Sequence, residues 1–182
     1  VQDGGQGFPG QLGAHDDRHI PGLARLASAL RAQETHAVLQ LHHAGMRSPA
    51  ALIGRQPLCP SANAETNARA MTLAEIEQTR DDFIAAARRC ERAGFDGVQL
   101  HGAHGYLLCQ FLSPEINRRD DQYGGSLENR SRLLFEIIDG VRASCGPNFS
   151  LGVRLSPERF GLKLEEIATV AQRLMREDNI EY

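Results

Sequence analysis

The sequence predicts an α/β fold whose parallel sheet belongs to a (β/α)8 TIM barrel, with this chain supplying part of it: about strands three to five with flanking helices. Three observations carry that expectation. Segments of helical and of alternating periodicity follow one another in turn, which requires right-handed crossovers onto a parallel sheet. Each of three strand segments has one apolar face and one that becomes polar toward its C-terminal end: Gln40 and His42, Gln99 and His101, and Arg154. An inner strand of a doubly wound sheet is covered on both faces and is apolar on both, whereas a barrel gathers polar groups at its C-terminal mouth.

Residues 1–20 are rich in Gly, Pro and Asp and read as a loop without an element of its own. Such a loop usually connects two elements, so a strand is expected to precede it. Pro21 suits a first helical turn, and Leu23, Leu26, Ala27 and Leu30 recur at helical spacing, predicting an amphipathic helix over 21–34. Residues 36–43 alternate, with Ala37, Leu39 and Leu41 on one face and Val38, Gln40 and His42 on the other. Residues 44–70 have no period and read as a long loop. Thr72 to Glu75 form a capping box, after which Leu73, Ile76, Phe83, Ile84 and Ala87 are expected to face the core until Gly94 ends the helix.

A strand follows at 95, and a second long loop is expected from Leu107 to Gly125. Ser126 is a plausible N-cap for a helix with Leu134, Ile137, Ile138, Val141 and Cys145 on its buried stripe, stopped by Gly146 and Pro147. Residues 150–155 form a third strand, with Val153 and Leu155 outward and Gly152 and Arg154 opposite. A last helix, about 163–177, places Leu164, Ile167, Ala171 and Leu174 on one side, and residues 179–182 resemble the start of another strand. A complete barrel takes about 250 residues. One partial domain over 1–182, truncated at both ends, is therefore expected, and its open sheet edges make self-association into a homo-oligomer one expectation.

Composition narrows the function. The 182 residues are 41% apolar and 24% charged, with 20 basic and 23 acidic residues spread along the chain and a net charge of -3. Nothing there recommends nucleic acid as a partner. No apolar run approaches the roughly 18 residues of a membrane span, and the N-terminus lacks a basic lead, so a cytoplasmic location is expected. Cys59, Cys90, Cys109 and Cys145 form no CxxC pair and lie far apart, as reduced thiols do, and three of them occupy positions suited to core packing.

The chemistry concentrates in residues 95–106, FDGVQLHGAHGY. An apolar run there breaks into Gln99, His101, His104 and Tyr106, each of which needs a partner when buried. Two imidazole N–H groups converging on one electronegative oxygen, with a phenol two residues on to supply a proton, form one reading. A metal site using His101, His104, His42 or His43 is another, weakened by the lack of an acidic or thiol ligand at the neighbouring strand ends. In the bland reading the histidines are satisfied structural groups and Arg154 is one half of a barrel ion pair.

The stretch HGAHGYLLCQFLSPEINRRDDQYGGSLENRSRLLFEIIDGVR, residues 101–142, closely resembles the old yellow enzyme family of FMN-dependent NAD(P)H oxidoreductases. The resemblance extends to DDRHIPGLARLA (16–27), to LQLHHAGMRS at the third family strand and to GVRLSPE at the fifth. It aligns the chain to the region from the end of the second barrel strand to the start of the sixth. The family's first-strand segment, and the seventh and eighth strand loops that hold the FMN phosphate, have no counterpart, so weak or absent FMN binding is expected of this stretch alone.

The resemblance implies that Gln40 bonds the pyrimidine edge of FMN and that Arg154 lies beside flavin N1 and O2. It implies that His101 and His104 bind a substrate carbonyl oxygen and that Tyr106 donates a proton. The implied activity is reduction of an activated alkene, an enone or enal, with NAD(P)H as reductant. The YGGSLENR segment is expected to be structural. Two rivals stand beside that activity: a non-catalytic barrel piece that self-associates, and a barrel lyase or hydrolase using a histidine-bound metal.

Overall fold

A computed structural model describes residues 1–176 and 180–182. In chain order the elements are α1 (Ile20–Arg31), β1 (Val38–Leu41), α2 (Ala50–Ile53), β2 (Leu58–Cys59), β3 (Arg69–Ala70), α3 (Leu73–Arg92), β4 (Gly97–Gly102), α4 (Leu107–Leu112), α5 (Leu127–Ser144), β5 (Ser150–Leu155) and α6 (Leu164–Arg176). Strands β1, β4 and β5 form one parallel sheet in that order, and β2 and β3 form a two-residue parallel pair. The helix after each sheet strand makes this an arc of a (β/α)8 barrel.

Strand register is pinned at its N-terminal edge by Asp96. Its N–H donates to Ala37 O at 2.9 Å, its Oδ2 accepts from Ala37 N–H at 2.8 Å, and its carbonyl accepts from Ser150 N–H at 2.9 Å. Gln40 consequently lies opposite Gln99, and His101 opposite Arg154. Because side-chain direction alternates along every strand, these polar groups share one face, while Val98, Leu100 and Leu151 are fully buried on the other. Against that apolar face pack Phe83, Ala86 and Ala87 of α3 and Leu133, Leu134, Ile137 and Ile138 of α5, all in one core.

Local chemistry sets the long helices. Thr72 Oγ1 accepts from Glu75 N–H while Glu75 Oε2 accepts from Thr72 N–H, and Gly94 takes φ +89° where α3 ends. Ser126 Oγ accepts from Asn129 N–H at 3.2 Å and starts α5. The YGGSLENR segment is woven into the fold. Buried Arg130 reaches the carbonyls of Gly125 and Leu112 and pairs with Glu166 of α6 at 2.8 Å, and Tyr123 donates its hydroxyl to Glu136.

Several expectations change. The first helix begins at Ile20 and ends at Arg31, and Leu26 and Leu30 are more exposed than Leu23 and Ala27. Leu73 and Leu164 are 43% and 54% exposed, because each stands at the first position of its helix, ahead of the turns that meet the core; Thr79 and Val170 are buried instead. Cys145 is half-buried. The supposed loop after Tyr106 contains α4, whose six residues are all buried. The segment 44–70 contains a 3-10 turn at Gly45–Arg47, α2, β2 and β3, and the first twenty residues hold 3-10 turns at Asp3–Gly5 and Asp17–His19.

Asn179 lies outside the described residues, but Glu181 N–H donates to Leu151 O and Val153 N–H to Tyr182 O, both at 3.0 Å. Both contacts lie along the edge of β5, where a further parallel strand would pair. At the other end, Ala44 N–H donates to Gly5 O at 2.8 Å, so the N-terminal segment meets the chain just beyond β1. Among the described residues no helix is long and apolar enough to cross a membrane.

Candidate active site

The polar ends of β1, β4 and β5 come together on the inner face of the arc. His101 is 5% exposed and stands one residue before the end of β4; the next turn carries His104 and Tyr106. His104 takes φ +59°, a left-handed conformation uncommon for a residue with a Cβ, and it turns the imidazole back toward the strand. His104 Nδ1 and His101 Nε2 lie 3.1 Å apart, so in the neutral pair one N–H donates to the other nitrogen. Both nitrogens face one point, and an incoming oxygen acceptor can replace that contact with two N–H donors. His101 Nδ1 is buried without a hydrogen-bond partner.

Tyr106 closes the cluster. Its ring centroid lies 5.1 Å from that of His101, 6.5 Å from that of His104 and 4.3 Å from that of His42, the last edge-on. Burial, with His104 and then Arg154 nearby, holds the His101 imidazole down to about 4. Burial and His101 do the same to His42, also to about 4. Both rings are therefore neutral at pH 7, the state in which an imidazole N–H can direct itself at a carbonyl oxygen without a charge to solvate.

The two predicted cofactor-side residues lie on the same face. Gln40 Nε2 donates to Gln99 Oε1 at 2.6 Å and is exposed, and Arg154 is exposed opposite His101. Among the described residues neither has a charged partner. An amide offers a donor and an acceptor together, and a guanidinium is a permanent cation. That pair fits the imide edge of a flavin, which alternates carbonyl and N–H and gains negative charge on reduction. A cavity of about 310 Å³ between the N-terminal segment and β1 reaches Gln40 and His42.

All five predicted site residues thus fall at one end of one sheet face, and the structure brings His101, His104 and Tyr106 into ring contact. His43 is separate: it is buried, accepts from Gly45 N–H through Nδ1 and bonds Gln2 Oε1 through Nε2. Among the described residues no group of three or more His, Cys, Asp or Glu is arranged to hold a metal ion.

His42, placed at the mouth by strand parity but given no role, packs on Tyr106, as above. Three further contributors were not singled out as site residues in the sequence. Arg47 holds its guanidinium over the Tyr106 ring, 5.5 Å from the centroid. Ser156, just past β5, accepts the His104 N–H at 3.0 Å. Gln110 of α4, fully buried, donates to the carbonyls of Gly105 and Ala44 and accepts from Met46 N–H, joining the loops after β1 and β4. Arg47 lies within LQLHHAGMRS, Gln110 within the 101–142 stretch and Ser156 within GVRLSPE, but the resemblance carried by those stretches gave none of the three a role.

The fold and this face define a class: a (β/α)8-barrel protein whose polar, histidine-rich mouth stands at the C-terminal strand ends. The family model for the NADH:flavin oxidoreductase / NADH oxidase family matches residues 1–181, and the chain belongs to that family. It is 42% identical over 185 residues to the probable NADH-dependent flavin oxidoreductase YqiG of Bacillus subtilis strain 168, covering 96% of this chain and 50% of the relative. It is 42% identical over 178 residues to an NADPH dehydrogenase of Geobacillus sp. strain WCH70, with 93% and 50% covered. The old yellow enzyme homologue from Zymomonas mobilis superposes with a TM-score of 0.89 at 33% identity, over 98% of this chain and 55% of that structure. The chain thus spans about half the length of these relatives.

Proposed function

We propose that the chain provides the substrate side, and part of the cofactor side, of an FMN-dependent oxidoreductase that uses NAD(P)H to reduce alkenes conjugated to a carbonyl group. The convergence of His104 Nδ1 and His101 Nε2, 3.1 Å apart at the barrel mouth, carries this reading. When bound, FMN supplies the hydride that it has taken from NAD(P)H. His101 and His104 turn their N–H groups on the carbonyl oxygen, draw electron density from the alkene and stabilise the enolate-like charge that develops there. Each directed donor contributes about 3 kcal/mol to that stabilisation.

Tyr106 delivers the proton to the carbon next to the carbonyl. The His42 ring, edge-on at 4.3 Å, keeps the phenol in place. Gln40 and Arg154 hold the imide edge of the cofactor, where the guanidinium favours the reduced, anionic form.

The test is the double substitution His101→Ala with His104→Ala in the FMN-loaded protein. Phenol binding, followed by its charge-transfer band with the flavin, is expected to fall by at least about a hundredfold, and enone reduction to slow by a similar factor. An oxidative half-reaction at the unaltered rate rules out the assignment.

A further inference from the structure

The mouth carries more positive charge than the proposed chemistry uses. Arg47 ends the 3-10 turn after β1 and holds its guanidinium over Tyr106. Its Nη1 stands 3.4 Å from where a Cβ on Gly105 would lie, and Phe160 Cδ1 stands 2.8 Å from the same point. The turn bearing His104 and Gly105 is therefore flanked by a cation from one loop and an apolar ring from another. Arg47 is exposed, and among the described residues no carboxylate pairs with it.

Elsewhere, arginines that stand near acids pair with them: Arg69 with Glu75, Arg89 with Asp17, Arg119 with Asp121 and Arg130 with Glu166. A guanidinium laid against an aromatic ring keeps in-plane N–H groups for a planar, bidentate acceptor, and a carboxylate is the acceptor of that shape. The neighbouring imidazoles of His42 and His101 are neutral and do not compete for it. Arg154, another cation near the strand ends, lies opposite His101 and is assigned above to the cofactor.

We propose that Arg47 is a specificity-determining residue that binds a carboxylate on the substrate. The preferred substrate is then an alkene conjugated to one carbonyl, held by His101 and His104, and bearing a carboxylate as a second group. The proposal rests on the alkene-reduction reading and names the substrate class within it. If Arg47 served only to hold the Tyr106 ring, its loss would affect charged and neutral substrates alike.

The FMN-loaded protein, its Arg47→Gln and Arg47→Lys variants, and Arg25→Gln on the exposed face of α1 are assayed with 4-oxopent-2-enoate and its methyl ester. The acid-to-ester ratio of kcat/KM is expected to fall about 30-fold in Arg47→Gln, chiefly through KM for the acid. Arg47→Lys keeps part of the preference, and Arg25→Gln keeps the wild-type ratio. Binding without turnover gives the second readout: 4-hydroxybenzoate, titrated by its effect on flavin absorbance, loses affinity in Arg47→Gln far more than its methyl ester does. Equal losses on acid and ester, or an effect confined to KM for NAD(P)H, overturn the role of Arg47 while leaving alkene reduction standing. A wild-type protein that reduces neither compound overturns both.

Discussion

The backbone N–H of His104 donates to Ser156 Oγ at 3.0 Å, tying the turn after β4 to the end of β5. His104 sits at φ +59°, and the hydroxyl of a buried serine helps to hold a conformation the residue would not choose alone. Ser156→Ala removes the acceptor and leaves a partly buried N–H unpaired. A loss of about 1 kcal/mol in stability is expected, together with weaker phenol binding as the His104 imidazole drifts from His101. Urea denaturation and a flavin-perturbation titration measure the two effects. Unchanged phenol affinity would show that the turn keeps its shape without Ser156.

Gln110 performs the corresponding task between the loops after β1 and β4. Its amide meets three backbone groups, and Gly45 takes φ +62° so close beside it that a Cβ there would lie 2.3 Å from Gln110 Oε1. Gln110→Met keeps the volume but takes the amide partner from Gly105 O and Met46 N–H, while Ala44 O keeps its bond from Arg47 N–H. We expect a loss of about 2–3 kcal/mol in urea denaturation. A loss under about 0.5 kcal/mol would mean that these backbone groups find other partners.

The difference between legible and hidden features has a physical basis. The three sheet strands and the helices α3 and α5 were legible because one side of each is buried and the other is not, which writes a period into the residues. His101, His104 and Tyr106 were legible because polar groups that end an apolar run have no packing explanation. Helix α4 was hidden because all six of its residues are buried, so it has no polar face to create a stripe. Arg47 and Ser156 come from the loops after β1 and β5, and only the order β1, β4, β5 makes them neighbours of Tyr106 and His104; Gln110 is hidden within the wholly buried α4. Leu73 and Leu164 misled because helical spacing does not reveal which turn extends past the core.

His43 gives the fold an acid-sensitive point outside the mouth. Its Nδ1 accepts from Gly45 N–H at 3.0 Å, so protonation would set two donors against each other in a buried place. Burial lowers its titration to about 3, whereas an unfolded histidine titrates near 6.5. Between those values the unfolded chain holds the additional proton, so stability falls as pH drops below about 6.5 and is level above it. One such proton gives a slope of up to about 1.4 kcal/mol per pH unit. The lowered His42 and His101 act in the same direction down to about 4. His43→Gln can still accept from Gly45 and donate to Gln2, and it should flatten the slope without abolishing it. Urea denaturation at about pH 7, 5.5 and 4.5 checks this; an identical slope in the variant excludes His43 as a source.

In the proposed mechanism the proton donor can be separated from the carbonyl binders, because the Tyr106 ring is held by its neighbours rather than by its hydroxyl. His42 stands edge-on at 4.3 Å and Arg47 lies over the ring face, and both contacts survive in Tyr106→Phe. The substitution therefore removes the acid and leaves the His101–His104 pair undisturbed. A positioned general acid typically contributes about 10²- to 10⁴-fold. We expect the oxidative half-reaction with an enone to slow by about a hundredfold, at the lower end because the open mouth admits water as a second proton source. Reduction of the flavin by NAD(P)H needs no such proton, so the ratio of the two half-reaction rates should fall by nearly the whole factor. Stopped-flow traces of flavin absorbance give both rates. A ratio equal to that of the wild type would assign the proton to another group, and a parallel fall in both rates would point to a displaced cofactor.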